Sequence, residues 1–140
     1  MKTPVKRPIG KTEYELLSSF RYALRHFLRF SEAAALELGL TAQQHQVLLA
    51  IKGFPHREEI SVGELAERLQ IRHHSAVGLA DRLLAEGLLI RRPGHEDRRQ
   101  VFLGLSAKGE EVLTRLSEVH REELRQIGPE LMKLLGQLSS

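Results

Sequence analysis

The chain has 140 residues with 41% apolar and 5% aromatic content, and it contains neither cysteine nor tryptophan. One domain packed by aliphatic side chains is expected, and disulfides, thiolate metal ligands and thiol-based redox sensing are excluded. The formal net charge of +3 is compatible with a nucleic-acid partner but does not define one. No apolar run reaches the ~18 residues of a membrane span and the N-terminus lacks a signal-peptide core, so we expect a cytoplasmic protein with no membrane partner.

The N-terminal part of the chain predicts an arm followed by a long helix. Residues 1–10 carry two prolines and three basic side chains, and we expect them to form a flexible basic arm. Apolar residues recur at helical spacing over residues 11–38, with Thr12 as the predicted N-cap and Gly39 as the stop. The apolar stripe of this helix is wide, so it needs a partner surface.

Three shorter helices are predicted next. The first begins after Thr41 and ends near Gly53, and the segment "PHREEIS" that follows is predicted to be a polar loop. Ser61 and Glu64 have the spacing of a capping box, which predicts the start of the next helix. After a short break, a further helix is predicted to end at Gly87.

The hydrophobic period then changes. The segments "LLIRRP" and "QVFLGL" predict two short strands joined by the turn "PGHEDRR". Ser106 begins another helix, which Gly128–Pro129 is predicted to break before a last helix. The predicted fold is therefore mostly α with a small β-hairpin, in the order four helices, two strands and two helices.

Two short helices with a tight turn, "SVGELAERLQIRHHSAVGLADRLLAEG", are typical of a helix-turn-helix, and a hairpin directly after them is typical of its winged form. The second helix carries arginine, histidine and serine in its first turn, and its first acid is Asp81. Such a face suits the DNA major groove. The residues predicted to contact DNA from this helix are Arg72, His73, His74, Ser75, Val77, Gly78 and Arg82.

The segment "LAERLQIRHHSAVGLADRLLAEGLLIRRPGHEDRRQVFLGLSAKGEEVL" resembles the MarR family of winged helix-turn-helix transcriptional regulators. The shared motifs are Leu65-Ala66, Gly87-Leu88, Arg91-Arg92, Asp97-Arg98-Arg99 and Leu105-Ser106-Ala107-Lys108-Gly109. The flanking helices match the family in arrangement rather than in motif. The resemblance implies a homodimer that binds double-stranded DNA at a pseudo-palindromic operator, acts as a repressor and needs no cofactor.

The resemblance also implies roles for the charged residues of the hairpin. The wing arginine that enters the minor groove corresponds to Arg99, and the acid that orients it corresponds to Asp97. Side chains two residues apart on a strand share a face, so the carboxylate can hold the guanidinium in one rotamer before binding. Arg91, Arg92 and Arg98 are then expected to contact phosphates.

A dimer core built from N- and C-terminal helices is a further implication of the resemblance. Residues 11–38 and 106–140 are expected to form the dimerisation region, and residues 41–105 the DNA-binding region, of one structural domain. The alternative is that these helices pack on their own chain. The residues expected at the dimer interface are Leu16, Leu17, Phe20, Leu124, Leu131, Leu134, Leu135 and Leu138.

Family members often respond to an aromatic acid or a phenol, which raises the question of a ligand site. The candidate residues are His26, Arg29, Phe30 and His45. Arg29 beside a histidine suits a carboxylate and Phe30 suits a ring. The simpler alternative makes His45 a capped or core histidine and Arg29 a surface cation. A metal-responsive regulator using His45, His120 and Glu123 is the weaker alternative, because no histidine pair has His-x₃-His spacing, and no metal site is predicted.

Two other classes of function compete with DNA binding. An enzyme needs a nucleophile beside a base, a pair of carboxylates or a Gly-rich phosphate loop, and the sequence assembles none of these. A winged helix used as a protein-interaction module needs an apolar outer face over residues 73–82. This sequence is mostly polar and basic there.

Overall fold

The computed structural model describes residues 7–94 and 99–140. Within them the chain forms five helices and three short strands. In chain order these are α1 (Lys11–Glu37), α2 (Ala42–Lys52), β1 (Glu59–Ser61), α3 (Val62–Leu69), α4 (His73–Ala85), β2 (Leu89–Pro93), β3 (Val101–Leu105) and α5 (Ala107–Ser139). The prediction of a mostly α fold with a small β-hairpin is confirmed. Residues 1–6 of the predicted basic arm lie outside the described residues.

The chain divides into two compact units. The first unit contains α1 up to Ser31 together with α5 from His120 onwards, and the second unit contains residues 32–119. In the second unit, α2, α3 and α4 pack with the strands around aliphatic side chains that are almost fully shielded from water. The largest of these side chains are Val47, Leu48, Ile51, Ile60, Leu65, Leu83 and Leu116.

The three strands form an antiparallel sheet in the order β1-β3-β2, so β3 is the central strand. The predicted hairpin corresponds to β2 and β3, whereas the prediction of a polar loop over residues 55–61 is wrong at β1. Ile60 of β1 lies opposite Leu103 and is fully buried between the partly exposed Glu59 and Ser61. A three-residue strand is too short to show a strand period, and its partner is distant in sequence.

The first helix starts slightly earlier than predicted. It begins at Lys11, and the Gly10 carbonyl accepts the Tyr14 N–H at 3.2 Å, so Thr12 lies in the first turn and not at the cap. The predicted stop is confirmed, because Gly39 takes a left-handed φ of 80° just beyond the helix.

The last helix is longer than predicted. α5 continues through Gly128–Pro129 to Ser139, although proline removes one helical N–H and crowds the preceding turn. The prediction of a break is therefore wrong. Leu134, one turn beyond the proline, is buried, and this burial stabilises the helix after the proline.

Candidate nucleic-acid interface

α3 and α4 form a helix-turn-helix whose junction is fixed by local backbone contacts. α3 begins with a capping box, in which the Glu64 N–H donates to Ser61 Oγ at 3.2 Å and the Ser61 N–H donates to Glu64 Oε1 at 3.0 Å. It ends at Gln70, whose φ of 55° is left-handed, and the Ile71 N–H donates to the Ala66 carbonyl at 3.0 Å. The predicted capping box and tight turn are both confirmed.

α4 is held by a face of small apolar side chains. Ala76, Ala80 and Leu83 are at most 2% exposed, and the alanines allow α4 to pack closely on α2 and α3. The opposite face is open to solvent. All of the residues predicted to contact DNA from this helix are exposed, namely Arg72, His73, His74, Ser75, Val77, Gly78 and Arg82.

Gly78 lies at the centre of this exposed face. His74 and Ser75 precede it, and Asp81 and Arg82 follow it, at the three- and four-residue spacings that make helix neighbours. A Cβ at Gly78 would meet no atom of the described residues within 4 Å, and the backbone there is not left-handed. Glycine in a helix interior costs about 1 kcal/mol relative to alanine, so the fold of the free protein gives no reason for it.

The N-terminal end of α4 is electropositive. Arg72 is its N-cap residue, and its side chain makes no capping hydrogen bond within the described part of the chain. The first turn of α4 contains no acid, so the positive end of the helix dipole is reinforced by arginine and not neutralised. An anion such as a phosphate suits this end of the helix.

β2 and β3 form the wing, the hairpin that follows α4. They pair along their whole length, and the Gly94 N–H donates to the Gln100 carbonyl at 2.8 Å where the hairpin leaves the sheet. Arg99 is exposed next to this point. Asp97 and Arg98 lie outside the described residues, so the pairing of Asp97 with Arg99 stays a prediction.

The two arginines of β2 have different partners. Arg91 Nη2 lies 3.6 Å from Asp81 Oδ1 of α4, and Arg92 Nη1 lies 3.8 Å from Glu59 Oε2 of β1. Successive side chains of a strand point to opposite faces. The structure therefore brings Arg91 beside α4 and takes Arg92 to β1, although the sequence predicts the same role for both.

A joint between α4, β2 and α5 is formed by motif residues on both sides of the wing. Ser106 Oγ donates to the Gly87 carbonyl at 2.6 Å and accepts the Gly109 N–H at 3.0 Å, while the Ser106 N–H donates to the Leu88 carbonyl at 3.0 Å. A Cβ at Gly109 would overlap the Leu88 carbonyl oxygen and lie 3.1 Å from its carbon. Glycine is therefore required where α5 crosses the start of the wing.

Sequence reasoning missed a cluster at the base of the wing. The Arg57 guanidinium lies 4.5 Å from the Phe54 ring centroid and 5.7 Å from that of Phe102, and it pairs with Glu64. Partial burial opposes ionisation of Glu64, but hydrogen bonds from Ser61 and the Arg57 charge together outweigh it and lower the pKa of Glu64. Arg57 lies in the segment predicted as a loop, so no helical or strand spacing indicated it.

The candidate ligand residues are distributed over both units. His26, Arg29 and Phe30 lie on α1 in the first unit, and His45 lies on α2 in the second. Phe30 is half-buried with its ring centroid 5.6 Å from that of His120, while His26 and Arg29 are exposed. His45 is 3% exposed, so it belongs to the core of the second unit.

The side chains predicted for the dimer interface differ in exposure. Leu17, Leu124 and Leu135 are 48%, 45% and 47% exposed. Leu134 is 5% exposed in the single chain, so it packs within its own chain, in contrast to the prediction of a partner contact. The half-buried members are Leu16, Phe20, Leu131 and Leu138. Further exposed large apolar side chains of the first unit are Ile9, Tyr14, Tyr22, Leu24, Leu28 and Met132.

Over residues 7–94 and 99–140, no group of three or more His, Cys, Asp or Glu side chains is placed to hold a metal ion. Among the helices of this described part, none is both long and apolar enough to cross a membrane.

The helix-turn-helix followed by a hairpin defines the chain as a winged helix-turn-helix protein. The model of the MarR family matches residues 38–100. The curated HTH-type transcriptional repressor MdtR of Bacillus subtilis (strain 168) is 30% identical over 104 residues, which cover 71% of this chain. The matched part spans 65% of the length of MdtR.

Solved structures are similar over nearly the whole chain. The multiple antibiotic-resistance repressor MarR from Listeria monocytogenes has a TM-score of 0.68 at 28% identity, covering 93% of this chain and 99% of that one. The S. aureus MepR F27L mutant bound to oligodeoxyribonucleotide has a TM-score of 0.66 at 20% identity, covering 89% and 97%. Residues 38–100 thus match the MarR family, and the curated relative is a transcriptional repressor. The resemblance to the MarR family inferred from the sequence motifs is thereby confirmed.

Proposed function

We propose that this protein is a transcriptional repressor that binds double-stranded DNA as a homodimer at a pseudo-palindromic operator. The observation that carries the proposal is the exposed face of α4, which is polar and basic and is centred on a glycine that the free fold does not need. The match of residues 38–100 to the MarR family supports it, as do the repressor MdtR and the oligodeoxyribonucleotide bound by the MepR mutant.

In this proposal α4 enters the major groove, which is wide enough to admit a helix. Arginine, histidine and serine side chains supply donors and acceptors for base edges and phosphates, and Val77 supplies a surface for thymine methyl groups. Gly78 allows the helix backbone to approach the bases closely. The proposed contacts from this helix are Arg72, His73, His74, Ser75, Val77, Gly78 and Arg82.

The wing supplies contacts beside the major groove. Arg99 enters the flanking minor groove, where a narrow groove concentrates negative potential and favours arginine. Asp97 orients Arg99, and Arg91 and Arg98 contact phosphates. These contacts add salt-dependent affinity, and the minor-groove arginine responds to the shape of the DNA.

Dimerisation is assigned to residues 11–38 and 106–140, and DNA binding to residues 41–105. Exposed leucines of the first unit include Leu17, Leu124 and Leu135, each about half exposed. Contact with a partner surface would shield these side chains from water. A two-fold axis places two copies of α4 about one DNA turn, or ~34 Å, apart. The operator is then pseudo-palindromic with the same half-site spacing.

The test of DNA binding is selection of duplexes from a random pool, followed by titration of the selected duplex. Arg82→Ala and Arg99→Ala are expected to weaken binding about ten-fold or more, because each removes a charged contact to a base or groove. Arg115→Ala, at an exposed arginine of α5, is the matched control and is expected to bind as the wild type does. Unchanged binding by both interface variants would favour the protein-interaction module instead.

The test of dimerisation compares two exposed leucines. Leu135→Glu is expected to give monomers in sedimentation equilibrium, because it buries a charge at the proposed interface. Leu49→Glu is the control, since Leu49 is 44% exposed on α2 in the second unit, and it is expected to stay dimeric. A dimeric Leu135→Glu protein contradicts the proposed interface.

We further propose that an aromatic acid or a phenol releases the repressor from DNA. Arg29 and His26 are exposed on α1 and suit a carboxylate or hydroxyl group, and the half-buried Phe30 suits a ring. The buried His45 is left out of this site. Benzoate and phenol are titrated into the protein–DNA complex, and we expect them to release DNA from the wild-type protein but not from Arg29→Ala. A wild-type complex that persists at millimolar benzoate and phenol contradicts the proposal.

A further inference from the structure

The wing arginine Arg92 reaches across the whole sheet. It belongs to β2, an edge strand, and its Nη1 lies 3.8 Å from Glu59 Oε2 on β1, the opposite edge strand. The side chain must therefore pass over the central strand β3. Its neighbour Arg91 instead pairs with Asp81 of α4 at 3.6 Å. The two arginines thus act on different parts of the protein.

Gly104 provides the path for the Arg92 side chain. It lies on β3 opposite Glu59 of β1. A Cβ at Gly104 would lie 3.1 Å from Arg92 Nε and 3.2 Å from Arg92 Cζ, closer than a side chain and a guanidinium normally approach. Glycine inside a strand weakens it and often marks a place where another group comes close. Here that group is the Arg92 guanidinium.

The partner of Arg92 is well placed to position the wing. The Glu59 side chain is 14% exposed and Arg92 47% exposed, so the acid is largely removed from water and the pair is screened less than an ordinary surface pair. Glu59 opens β1, and Ser61 at its end is also the N-cap of α3. Arg92 therefore links the outer strand of the wing to the strand that leads directly into the helix-turn-helix.

We propose that Arg92 is a positioning residue and that it contacts no DNA phosphate. Its ion pair with Glu59, called the strap below, holds the wing against the helix-turn-helix. The inference rests on the proposed DNA binding and revises the sequence prediction for this residue. Arg91, on the other face of β2 beside α4, is the arginine of this pair that binds phosphate. Gly104 belongs to the strap because it leaves the space that the guanidinium occupies.

Salt dependence of binding separates the two roles. With the selected duplex, Arg91→Gln is expected to lower the slope of log K against log salt concentration by about 0.9, as the loss of one phosphate contact does. Arg92→Gln is expected to lower the affinity about five-fold with the slope unchanged. A slope that falls by the same amount in Arg92→Gln overturns the proposal.

A double-mutant cycle with Glu59 tests the strap. Glu59→Gln is expected to weaken DNA binding as Arg92→Gln does, and the double variant is expected to be no worse than either single one. If Arg92 held a phosphate, Glu59→Gln would remove a nearby acid and strengthen binding, and the two changes would add. Additive effects therefore overturn the proposal.

Of two further measurements, the first changes no charge and the second uses no DNA. Gly104→Ala keeps every charge and displaces the guanidinium, so it is expected to lower the affinity with the slope unchanged; wild-type affinity in this variant overturns the strap. The unfolding free energies of the four Glu59 and Arg92 proteins without DNA are expected to be non-additive, and additivity refutes the strap. If the wild type selects no duplex, the proposed function fails, while this DNA-free cycle still decides the strap.

Discussion

Replacing Gly78 by alanine adds one methyl group to the centre of the exposed face of α4. No atom of the described residues lies within 4 Å of the new Cβ position, and the backbone of Gly78 is not left-handed. Alanine therefore fits the free protein without overlap or backbone strain. In the proposed complex the same methyl group stands between the helix backbone and the floor of the major groove.

The expected effects have opposite signs in stability and in binding. Alanine stabilises an exposed helix interior by about 0.5–1 kcal/mol relative to glycine, which raises the Tm of a chain of this length by about 2–5 °C. On DNA, the helix must move outwards or its contacts must rearrange. We expect about a ten-fold loss of affinity, equivalent to ~1.4 kcal/mol.

The two effects are measured by thermal unfolding and by anisotropy titration of a labelled duplex. Chain concentration is held fixed, because association makes the Tm depend on it. Gly136→Ala is the matched control, since Gly136 also lies in a helix with no atom of the described chain within 4 Å of an added Cβ. It is expected to raise the Tm and leave Kd unchanged. Wild-type affinity in Gly78→Ala refutes the placement of Gly78 against DNA.

Three further predictions concern the helix-turn-helix and its joint with the wing. Asp81→Asn removes an exposed acid and the partner of Arg91, so the unfolding free energy is expected to change by less than about 1 kcal/mol, while binding to random-sequence duplex tightens several-fold; unchanged random-duplex affinity contradicts this. Gly109→Ala drives a Cβ into the Leu88 carbonyl oxygen, and calorimetry is expected to show a loss of about 1–3 kcal/mol; a variant as stable as the wild type disproves the close approach. Because the pKa of Glu64 is lowered in the folded protein, ionised Glu64 stabilises the fold fully at pH values above its unfolded-state pKa near 4.3. This stabilisation is lost as the pH falls through the folded-state pKa. In urea unfolding, the advantage of the wild type over Glu64→Gln is therefore expected to shrink as the pH falls below about 5, and a pH-independent difference counts against it.

Signals between near neighbours predicted most of the fold. The capping box at Ser61, the left-handed stop at Gly39 and the exposed face of α4 each depend on residues a few positions apart, and the structure agrees with them. Apart from the misplaced cap at Thr12, the two errors about whole elements depend on contacts between residues distant in sequence. β1 exists because Ile60 pairs with Leu103, and α5 continues past its proline to the buried Leu134. Spacing along the sequence contains no information about either contact.

The roles of Arg91 and Arg92 could not be separated before β1 was known. Both have the same charge, and the face that each takes depends on the register of β2 on β3, while the partner on the far face depends on β1. One sequence signal does point to the strap, because Gly104 interrupts the apolar segment "VFLGL". A glycine inside a central strand indicates that another group passes close to the strand backbone at that position. Under the proposed strap, Arg92 neutralises Glu59 and not a phosphate. The number of arginines in the wing then overestimates the number of phosphates it binds, and with it the salt dependence expected from charge alone.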